Sequence, residues 1–260
     1  MIQDILTIAR QAGDAILNIY ERDFATYEKN DQSPLTEADL AAHEVIIAGL
    51  KELTPDVPVL SEESSTIPWE ERQQWSKYWL VDPLDGTKEF IKRNGEFTVN
   101  IALIENHKAV MGVVYAPVLR RFYFADENGA YRQDHDSDPV QLSVATHGGD
   151  RPWNVVASRS HMSDETIAFI EKLGECELVS MGSSLKLCLV AAGAADVYPR
   201  FALTSEWDTA AAQCVVERAG GIVITPEFEP LRYNTKESLL NSFFIVCGGN
   251  SEEFKKLCSD

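Results

Sequence analysis

Carboxylates stand at three places in this chain where the hydrophobic pattern predicts that a strand ends or a helix begins. They are the pair Glu62 and Glu63, the aspartates Asp82 and Asp85, and Asp208. Hard cations such as Mg²⁺ prefer carboxylate and carbonyl oxygens and accept a substrate phosphate as a further ligand. Two such ions about 3.5–4 Å apart stabilise the entering and leaving oxygens of an in-line displacement. The acids therefore predict a magnesium site, with Asp82 as the natural bridge between two ions.

Each acidic place also has an ordinary structural explanation when it is taken alone. Side chains alternate along a strand, so only one of the two glutamates is expected to point inward, and an exposed acidic pair is the simpler arrangement. Asp208 stands directly before a predicted helix, where an N-cap is the commoner role of an aspartate. The second place is the strongest: Pro83 is expected to end the strand ladder, so that Asp82 and Asp85 turn toward one point.

Gly86 and Thr87 add phosphate chemistry to the second acidic place. Gly86 permits a close approach of the backbone, and Thr87 opens a predicted helix whose first N–H groups suit a phosphate. The alternative is a turn with an aspartate as helix cap. Two acids followed directly by Gly-Thr favour the functional interpretation.

The composition limits the partners of such a site. The 260 residues are 45% hydrophobic, enough for a sizeable core, and the formal net charge is −18. No run of Lys and Arg exceeds two residues, so nucleic-acid polymers and anionic lipid surfaces are poor partners, although weak peripheral association with an inner membrane stays open. An anionic substrate would need bound cations to offset the repulsion.

The cysteines and the N-terminal segment favour the cytoplasm. Five cysteines without a C-x-x-C pair indicate reduced thiols rather than a disulfide framework or a zinc site. Asp4, Arg10 and Asp14 interrupt the first apolar segment, which is therefore not a signal peptide. The apolar stretch 187–195 is too short to span a bilayer. We predict a cytoplasmic protein without an integral membrane segment and leave its oligomeric state open.

Hydrophobic periodicity predicts the elements that position the acids. Two amphipathic helices are expected near 2–21 and 37–53, and Thr36 with Asp39 has the spacing of a capping box for the second. Short strands are expected at 57–60 and 78–81, and an antiparallel meander at 97–104, 109–118 and 121–125. A polar segment, 126–150, is expected to form the edge between two halves. In the second half we expect strands at 154–158 and 243–247 and helices at 164–173, 184–193 and 209–219.

This mixture of elements favours a layered α+β fold over a doubly wound parallel sheet. We predict one unit over residues 1–260 with approximate halves. The half 1–135 would carry the meander sheet and the main metal site, and the half 136–260 would carry Asp208 and the nucleotide-side residues.

The order and spacing of the acids resemble the signature of the inositol monophosphatase superfamily, a group of lithium-sensitive, Mg²⁺-dependent phosphatases. The match covers nearly the whole chain and consists of Asp39, the Glu62-Glu63 pair, the run Asp-Pro-Leu-Asp-Gly-Thr from Asp82, and Trp207-Asp208-x-Ala-Ala. No single piece is specific, whereas the combination is. The resemblance implies a fold of stacked α-β-α-β-α layers.

Within that superfamily the chain is similar to bacterial 3′(2′),5′-bisphosphate nucleotidases. After Asp-Gly-Thr it continues Lys-Glu-Phe, where inositol monophosphatases more often have Thr-Asn-Phe. Members that act on adenosine bisphosphate carry Ser-x-x-Lys and a later Arg near the nucleotide, and Ser183, Lys186 and Arg200 match these positions. His161 matches a position near the base, although a surface or cap role is equally common for such a histidine.

The resemblance also implies roles for individual residues. One metal ion would be held by Glu62, Asp82 and the Leu84 carbonyl, a second by Asp82, Asp85 and Asp208, and Glu62 would also reach a third ion or the phosphate. The implied catalytic residues are Asp39, Thr87 and Glu62, with Thr87 bonded to Asp39 and positioning the attacking water. The implied substrate-binding residues are Glu62, Asp85, Gly86, Thr87, Lys88, Ser183, Lys186, Arg200, Asp208 and His161.

The sequence thus predicts hydrolysis of adenosine 3′,5′-bisphosphate to AMP and phosphate by in-line attack of a metal-activated water, with two or three Mg²⁺ ions. A place in sulfur assimilation and lithium sensitivity follow from the resemblance alone. The alternatives are an inositol monophosphatase or sugar-bisphosphate phosphatase of the same superfamily, a non-catalytic regulator that binds a nucleotide or metal, and an acidic interaction domain.

Overall fold

Two long helices are followed by a run of strands, and shorter helices and strands are mixed later in the chain. The computed structural model describes residues 1–28, 34–147, 151–157 and 162–248. A two-stranded ribbon, β1 (Thr26–Glu28) and β2 (Pro34–Thr36), follows the first helix, and 3₁₀ turns occupy Glu62–Ser64 and Glu206–Asp208. The α-helices of the described ranges are α1 (Ile2–Tyr20), α2 (Glu37–Leu53), α3 (Trp69–Arg72), α4 (Thr87–Ile91), α5 (Asp164–Leu173), α6 (Leu185–Ala191) and α7 (Ala210–Arg218).

A seven-stranded sheet follows the ribbon. Its strands are β3 (Val59–Ser61), β4 (Lys77–Asp85), β5 (Thr98–Glu105), β6 (Lys108–Ala116), β7 (Arg121–Asp126), β8 (Gly129–Asp134) and β9 (Val140–Gln141), which neighbour one another in chain order. The β3–β4 pair is parallel and the other pairs are antiparallel. The predicted meander is therefore present and extends by two further strands.

A five-stranded sheet forms from later segments. Its strands are β10 (Trp153–Ala157), β11 (Cys176–Ser180), β12 (Val197–Arg200), β13 (Ile222–Ile224) and β14 (Phe244–Cys247), in the order β11-β10-β12-β14-β13. β10 pairs in parallel with β11 and β12, whereas β14 runs antiparallel to β12 and β13. Of these strands, the sequence pattern predicts β10 and β14.

The seven-stranded sheet is buried on both faces. Alternate residues of β4 point to opposite sides, so Trp79 and Val81 pack with α1 and α2, whereas Tyr78 and Leu80 pack with α6 and α7. A strand covered on both faces gains by being apolar at every position. This explains why these four residues form one continuous apolar run.

The five-stranded sheet covers the other side of α6 and α7. Val156 and Val246 pack with these two helices, whereas Val155 and Ile245 pack with α5 on the outer face. The layers are therefore α1 and α2, the seven-stranded sheet, α6 and α7, the five-stranded sheet, and α5. The predicted α-β-α-β-α sandwich is confirmed.

Small residues bring α7 close to the seven-stranded sheet. Ala210, Ala211 and Ala212 open the helix and are buried. A Cβ atom at Gly112 of β6 would lie 2.3 Å from the main-chain oxygen of Ala211, so only glycine allows this approach. The close packing places the turn Glu206–Asp208 against β4 and β5.

Two local expectations about the sheets are wrong. The polar segment 126–150 is not a bare edge between halves, because it contains β8 and β9, and Tyr131 of β8 stacks on Phe124. Pro83 does not end the ladder, because β4 continues to Asp85 through an irregularity in its register with β5. The division of the unit near residue 135 stays a prediction.

A helix that spans a membrane needs about 20 consecutive, mainly apolar residues. Within the described ranges, no helix is both long enough and apolar enough to cross a bilayer.

Candidate active site

The end of β4 supplies two aspartates to one place. In the register with β5, Asp82 lies opposite Asn100 and Asp85 lies opposite Thr98, so three steps on β4 match two steps on β5. Such a bulge changes which way the following side chains point. It brings the carboxylates of residues three apart to the same side, although a regular strand would send them to opposite faces.

The turn before α7 supplies the third aspartate. Asp208 is the last residue of the 3₁₀ turn Glu206–Asp208, and its Oδ2 accepts the N–H of Ser205 at 2.8 Å. Thr209 occupies the N-cap position of α7. The N-cap expectation for Asp208 is therefore wrong, because a capped 3₁₀ turn precedes the helix and directs this carboxylate toward β4 instead.

Asp82, Asp85 and Asp208 form a tight acidic cluster. One carboxylate oxygen of each lies within 4.8 Å of those of the other two. Burial, followed by the charges of Glu62, Asp85 and Asp208, holds the pKa of Asp82 well above its usual range. Burial and the charge of Asp85 do the same to the pKa of Asp208. The folded chain thus concentrates negative charge at a point shielded from water.

Glu62 joins the cluster from the other side. It begins the 3₁₀ turn that follows β3, and its carboxyl hydrogen-bonds to that of Asp82. Glu63 instead acts on His43 of α2, where burial lowers the pKa of the histidine and the charge of Glu63 opposes that shift. The expectation that one glutamate points inward is correct for Glu62, but the reason given for it is wrong. Both glutamates lie in the 3₁₀ turn after β3 ends at Ser61, so strand alternation does not apply to them.

The donor set fits a hard divalent cation. Burial and the charge of Asp85 hold the pKa of Asp208 well above its usual value, and the charge of Arg200 lowers it too little to cancel them. Asn100 Oδ1 is also buried beside Asp85, and it has no hydrogen-bond partner within the described residues. Water ligands of an ion would donate to such an acceptor, and sites made of carboxylate and carbonyl oxygens suit Mg²⁺, Ca²⁺ or Mn²⁺.

Asp39 connects the ribbon before α2 to the start of α4. Its Oδ2 accepts the N–H and the hydroxyl of Thr36 at 2.8 and 2.6 Å, and this confirms the predicted capping box. Its Oδ1 accepts the hydroxyl of Thr87 at 3.2 Å. The structural and the catalytic interpretations of Asp39 are therefore compatible, because different oxygens serve the two contacts.

Gly86 makes the turn between Asp85 and α4. Its φ of +95° lies in the left-handed region, where a residue with a side chain would be strained. A Cβ atom there would also lie 3.2 Å from the main-chain oxygen of Glu96. Glycine at this position leaves the backbone N–H groups at the start of α4 open to a ligand.

A cavity of about 160 Å³ opens beside the acidic cluster. It is lined by seven of the predicted substrate-binding residues, namely Asp85, Gly86, Lys88, Ser183, Lys186, Arg200 and Asp208. Glu62 and Thr87 belong to the acidic end without lining the cavity, and His161 lies outside the described residues. The fold thus brings together residues from four separate segments.

The cavity lining also contains two cations, Lys186 and Arg200. Lys186 Nζ donates to the main-chain oxygen of Ser183 at 2.7 Å and lies 5.7 Å from the ring centre of Tyr198. Burial lowers the pKa of Lys186, and the charge of Asp85 opposes this. Arg200 donates to the Leu203 oxygen at 3.1 Å, while its Nε has no partner among the described residues. A second anionic group would satisfy both cations.

Several residues at the site are not among the predicted site residues. The register of the meander could have identified Asn100 as the neighbour of Asp82, and Glu89 lies in the Lys-Glu-Phe run that follows Asp-Gly-Thr. No sequence pattern marks the others, which are Ser184 beside the acids and Leu187, Tyr198, Thr204, Thr209 and Phe244 along the cavity.

Stabilisation by Mg²⁺ is expected to increase with pH. Asp82 and Asp208 have pKa values raised above those of the unfolded chain, so their contribution to the stability of the metal-free protein is largest at acid pH. It is lost as the pH rises through the raised values, and a cation that replaces the protons recovers it. Saturating Mg²⁺ should raise Tm by about 5–10 °C at neutral to alkaline pH and much less near pH 5.

Differential scanning fluorimetry with and without Mg²⁺ at each pH measures this effect, with Na⁺ at matched ionic strength as control. Asp134 and Asp196 are carboxylates whose pKa is lowered by ion pairs with arginines. Their contribution to the pH dependence of Tm is the same with and without Mg²⁺, because Mg²⁺ does not change their partners, so it cancels in the difference. An increment that is independent of pH would contradict cation binding at the acidic cluster.

Comparison with known proteins gives consistent matches over almost the whole chain. The profile of the inositol monophosphatase family matches residues 2–260. The 3′(2′),5′-bisphosphate nucleotidase CysQ of Salmonella typhimurium is 52% identical over 248 residues, covering 95% of this chain and 99% of the relative. The protein of the same name from Escherichia coli K12 is 51% identical over 248 residues, which again cover 95% of this chain and 99% of the relative. The crystal structure of CysQ from Bacteroides thetaiotaomicron has a TM-score of 0.84 and 47% identity, covering 95% of this chain and 97% of that one.

Proposed function

The chain belongs to the inositol monophosphatase family, and we propose that within it the protein is a Mg²⁺-dependent 3′(2′),5′-bisphosphate nucleotidase. It hydrolyses the 3′-phosphate of adenosine 3′,5′-bisphosphate to give AMP and phosphate. One observation carries the proposal: a single cavity is lined both by the acids Asp85 and Asp208 and by the cations Lys186 and Arg200. A substrate with two phosphates on one ribose matches such a lining, because metal ions on the acids would take one phosphate and the two cations the other.

The metal ligands of the proposal are Glu62, Asp82, Asp85, Asp208 and the main-chain oxygen of Leu84, which would hold two or three Mg²⁺ ions. These ions supply neutralisation of phosphate charge, a lowered pKa for a water ligand, and stabilisation of the leaving oxygen. The chain itself fixes the acids before the cation arrives. The Leu84 N–H, for example, donates to Asp82 Oδ1 at 3.0 Å and holds that carboxylate against the turn.

Thr87 and Asp39 orient the attacking water in this proposal. The Thr87 hydroxyl can donate its proton to Asp39 Oδ1 at 3.2 Å or to the Leu84 main-chain oxygen at 3.4 Å, and in either case its lone pairs are available to accept a hydrogen bond from water. Asp39, the nearer acceptor, is itself held in place by Thr36. A water held in this way attacks the phosphorus in line with the ribose oxygen, and no covalent bond to the protein forms.

The remaining residues bind the substrate. The backbone N–H groups of Gly86 and Thr87 would contact the phosphate that is cleaved, as donors at a helix start commonly do. Lys186 and Arg200 would pair with the phosphate that is retained, and Lys88 and Ser183 would bind at its side of the cavity. His161 is kept as a proposed contact of the base.

We propose in addition that the protein works in the cytoplasm, in the disposal of a by-product of sulfur assimilation, and that lithium inhibits it. Its proposed partner is the small nucleotide rather than a nucleic-acid polymer, and the oligomeric state stays open. The relatives named CysQ cover nearly the full length of the chain, which supports the substrate assignment.

Phosphate release from three compounds tests the proposed function. Adenosine 3′,5′-bisphosphate, inositol 1-phosphate and fructose 1,6-bisphosphate are each assayed with Mg²⁺ and with EDTA. We expect kcat/KM to be at least about tenfold higher for the nucleotide, a difference of about 1.4 kcal/mol, and EDTA to abolish release. A preference for inositol or sugar phosphate would refute the substrate while keeping the chemistry. No release from any compound would favour a regulator that binds without catalysis.

A further inference from the structure

Ser184 lies at the junction of the three elements that meet at the acidic cluster. Its N–H and its hydroxyl oxygen are each 2.6 Å from Asp85 Oδ2, and the hydroxyl oxygen is 2.7 Å from the main-chain oxygen of Asp208. Asp85 ends β4, Asp208 precedes α7, and Ser184 itself precedes α6. One buried residue therefore bonds to both sides of the candidate metal site.

The ordinary role of a serine before a helix does not explain this hydroxyl. Ser184 occupies the N-cap position of α6, yet its side chain makes no capping hydrogen bond, and its φ and ψ of −64° and −9° are helical rather than extended. The hydroxyl is directed away from the helix and toward the acids. Its contacts belong to the cluster and not to the start of α6.

Asn100 limits the orientation of the hydroxyl to two acceptors. Its Nδ2 donates to Ser184 Oγ at 2.8 Å and occupies one lone pair of that oxygen. The hydroxyl proton is then left for Asp85 Oδ2 or the Asp208 main-chain oxygen, which are at nearly equal distances. Because the Ser184 N–H also donates to Asp85, the proton can change acceptor without leaving Asp85 unpaired.

Charge repulsion opposes the arrangement that Ser184 holds. Carboxylate oxygens of Asp85 and Asp208 lie within 4.8 Å of each other, so these like charges repel across the site. The two aspartates belong to different elements, and Ser184 adds hydrogen bonds to both of them beside the helix packing at Gly112. Donors that are already in place lower the cost of reorganisation when a cation binds.

We propose that Ser184 is a positioning residue that holds Asp85 and Asp208 at the separation a divalent cation requires, with Asn100 orienting its hydroxyl. This inference rests on the metal site of the proposed function and is independent of the identity of the substrate. It predicts that the hydroxyl contributes to metal affinity more than to the chemical step.

Mg²⁺ affinity of two matched variants tests the proposal. Ser184→Ala removes the hydroxyl but keeps the N–H. Thr98→Val removes a hydroxyl that is fully buried, lies opposite Asp85 on β5, and has no partner within the described chain. Isothermal titration calorimetry of Mg²⁺ alone into the substrate-free full chain should show Kd raised about tenfold in Ser184→Ala and changed less than about twofold in Thr98→Val.

The kinetic readout separates positioning from a general structural effect. In Ser184→Ala the Mg²⁺ concentration for half-maximal activity should rise with Kd, while kcat at saturating Mg²⁺ stays within about threefold of wild type. Unchanged Mg²⁺ affinity in Ser184→Ala, or equal weakening in Thr98→Val, would overturn the proposal.

A third variant keeps the test decisive if Ser184→Ala does not fold. Ser184→Cys retains a weak donor and should give an intermediate Kd, and a wild-type Kd would overturn the proposal. The wild-type protein separates the two levels of inference. Mg²⁺ binding without nucleotide turnover would contradict the proposed function alone, whereas no Mg²⁺ binding at all would overturn both.

Discussion

Asp82→Asn is expected to lower kcat for adenosine 3′,5′-bisphosphate by about 10³-fold or more while leaving the fold intact. Removing one electrostatic group from a preorganised site typically costs about 10²–10³ in kcat, and Asp82 is the proposed bridge between two ions. Phosphate release at saturating Mg²⁺ measures the loss, and circular dichroism verifies the fold.

The same substitution should stabilise the metal-free protein. Asp82 is almost fully buried among Glu62, Asp85 and Asp208, so a neutral amide of the same shape relieves repulsion. We expect Tm without metal to rise by about 2–4 °C, and the rise on adding Mg²⁺ to shrink.

Glu63→Gln is the matched control, because Glu63 belongs to the same 3₁₀ turn as Glu62 but acts on His43 rather than on the cluster. It should keep near wild-type turnover. Wild-type turnover in Asp82→Asn would refute the site, and a lower metal-free Tm would show that the carboxylate is structural.

Lys186→Met is expected to reduce kcat/KM for adenosine 3′,5′-bisphosphate by about 100-fold, since a charge-assisted contact to the retained phosphate is lost. For adenosine 3′-monophosphate, which lacks that phosphate, the change should stay within about threefold. Burial of the ammonium lowers the pKa of Lys186 in the free protein. Methionine has a similar length and removes the cost of burying that charge.

Two measurements make this second prediction specific. Lys92→Met, at an exposed lysine just after α4, should change neither kcat/KM value. Arg200→Met should reproduce the selectivity change, because Arg200 lines the same cavity and its charge acts on Lys186. Equal losses on the bisphosphate and the monophosphate would place Lys186 at the cleaved phosphate instead and would remove the reason for preferring a bisphosphate.

The sequence by itself determines the features that depend on neighbours in the chain. The capping box of Thr36 and Asp39 needs only a spacing of three residues, and the structure forms it. The apolar run of β4 is followed directly by acids, so these acids lie at the end of the strand whatever the position of the strand in the sheet. Gly86 provides the left-handed turn that follows. Helical periodicity likewise locates α1 and α2 within one or two residues.

Local patterns fail where distant segments decide the outcome. β8 looks like a polar loop in the sequence because Ala130 is the one fully buried residue of this strand and its other side chains are only half-buried. The register shift between Asp82 and Asp85 depends on pairing with β5, and it determines that both acids point the same way.

The assembly of the site is decided by tertiary structure. The close approach of α7 at Gly112 brings the turn of Asp208 to the end of β4, across more than a hundred residues of chain. Ser184 then contacts both aspartates, and no spacing in the sequence indicates this contact. The sequence contains the residue types that can hold a cation. The short distances between their carboxylates and the raised pKa values arise only when packing excludes water and brings like charges together.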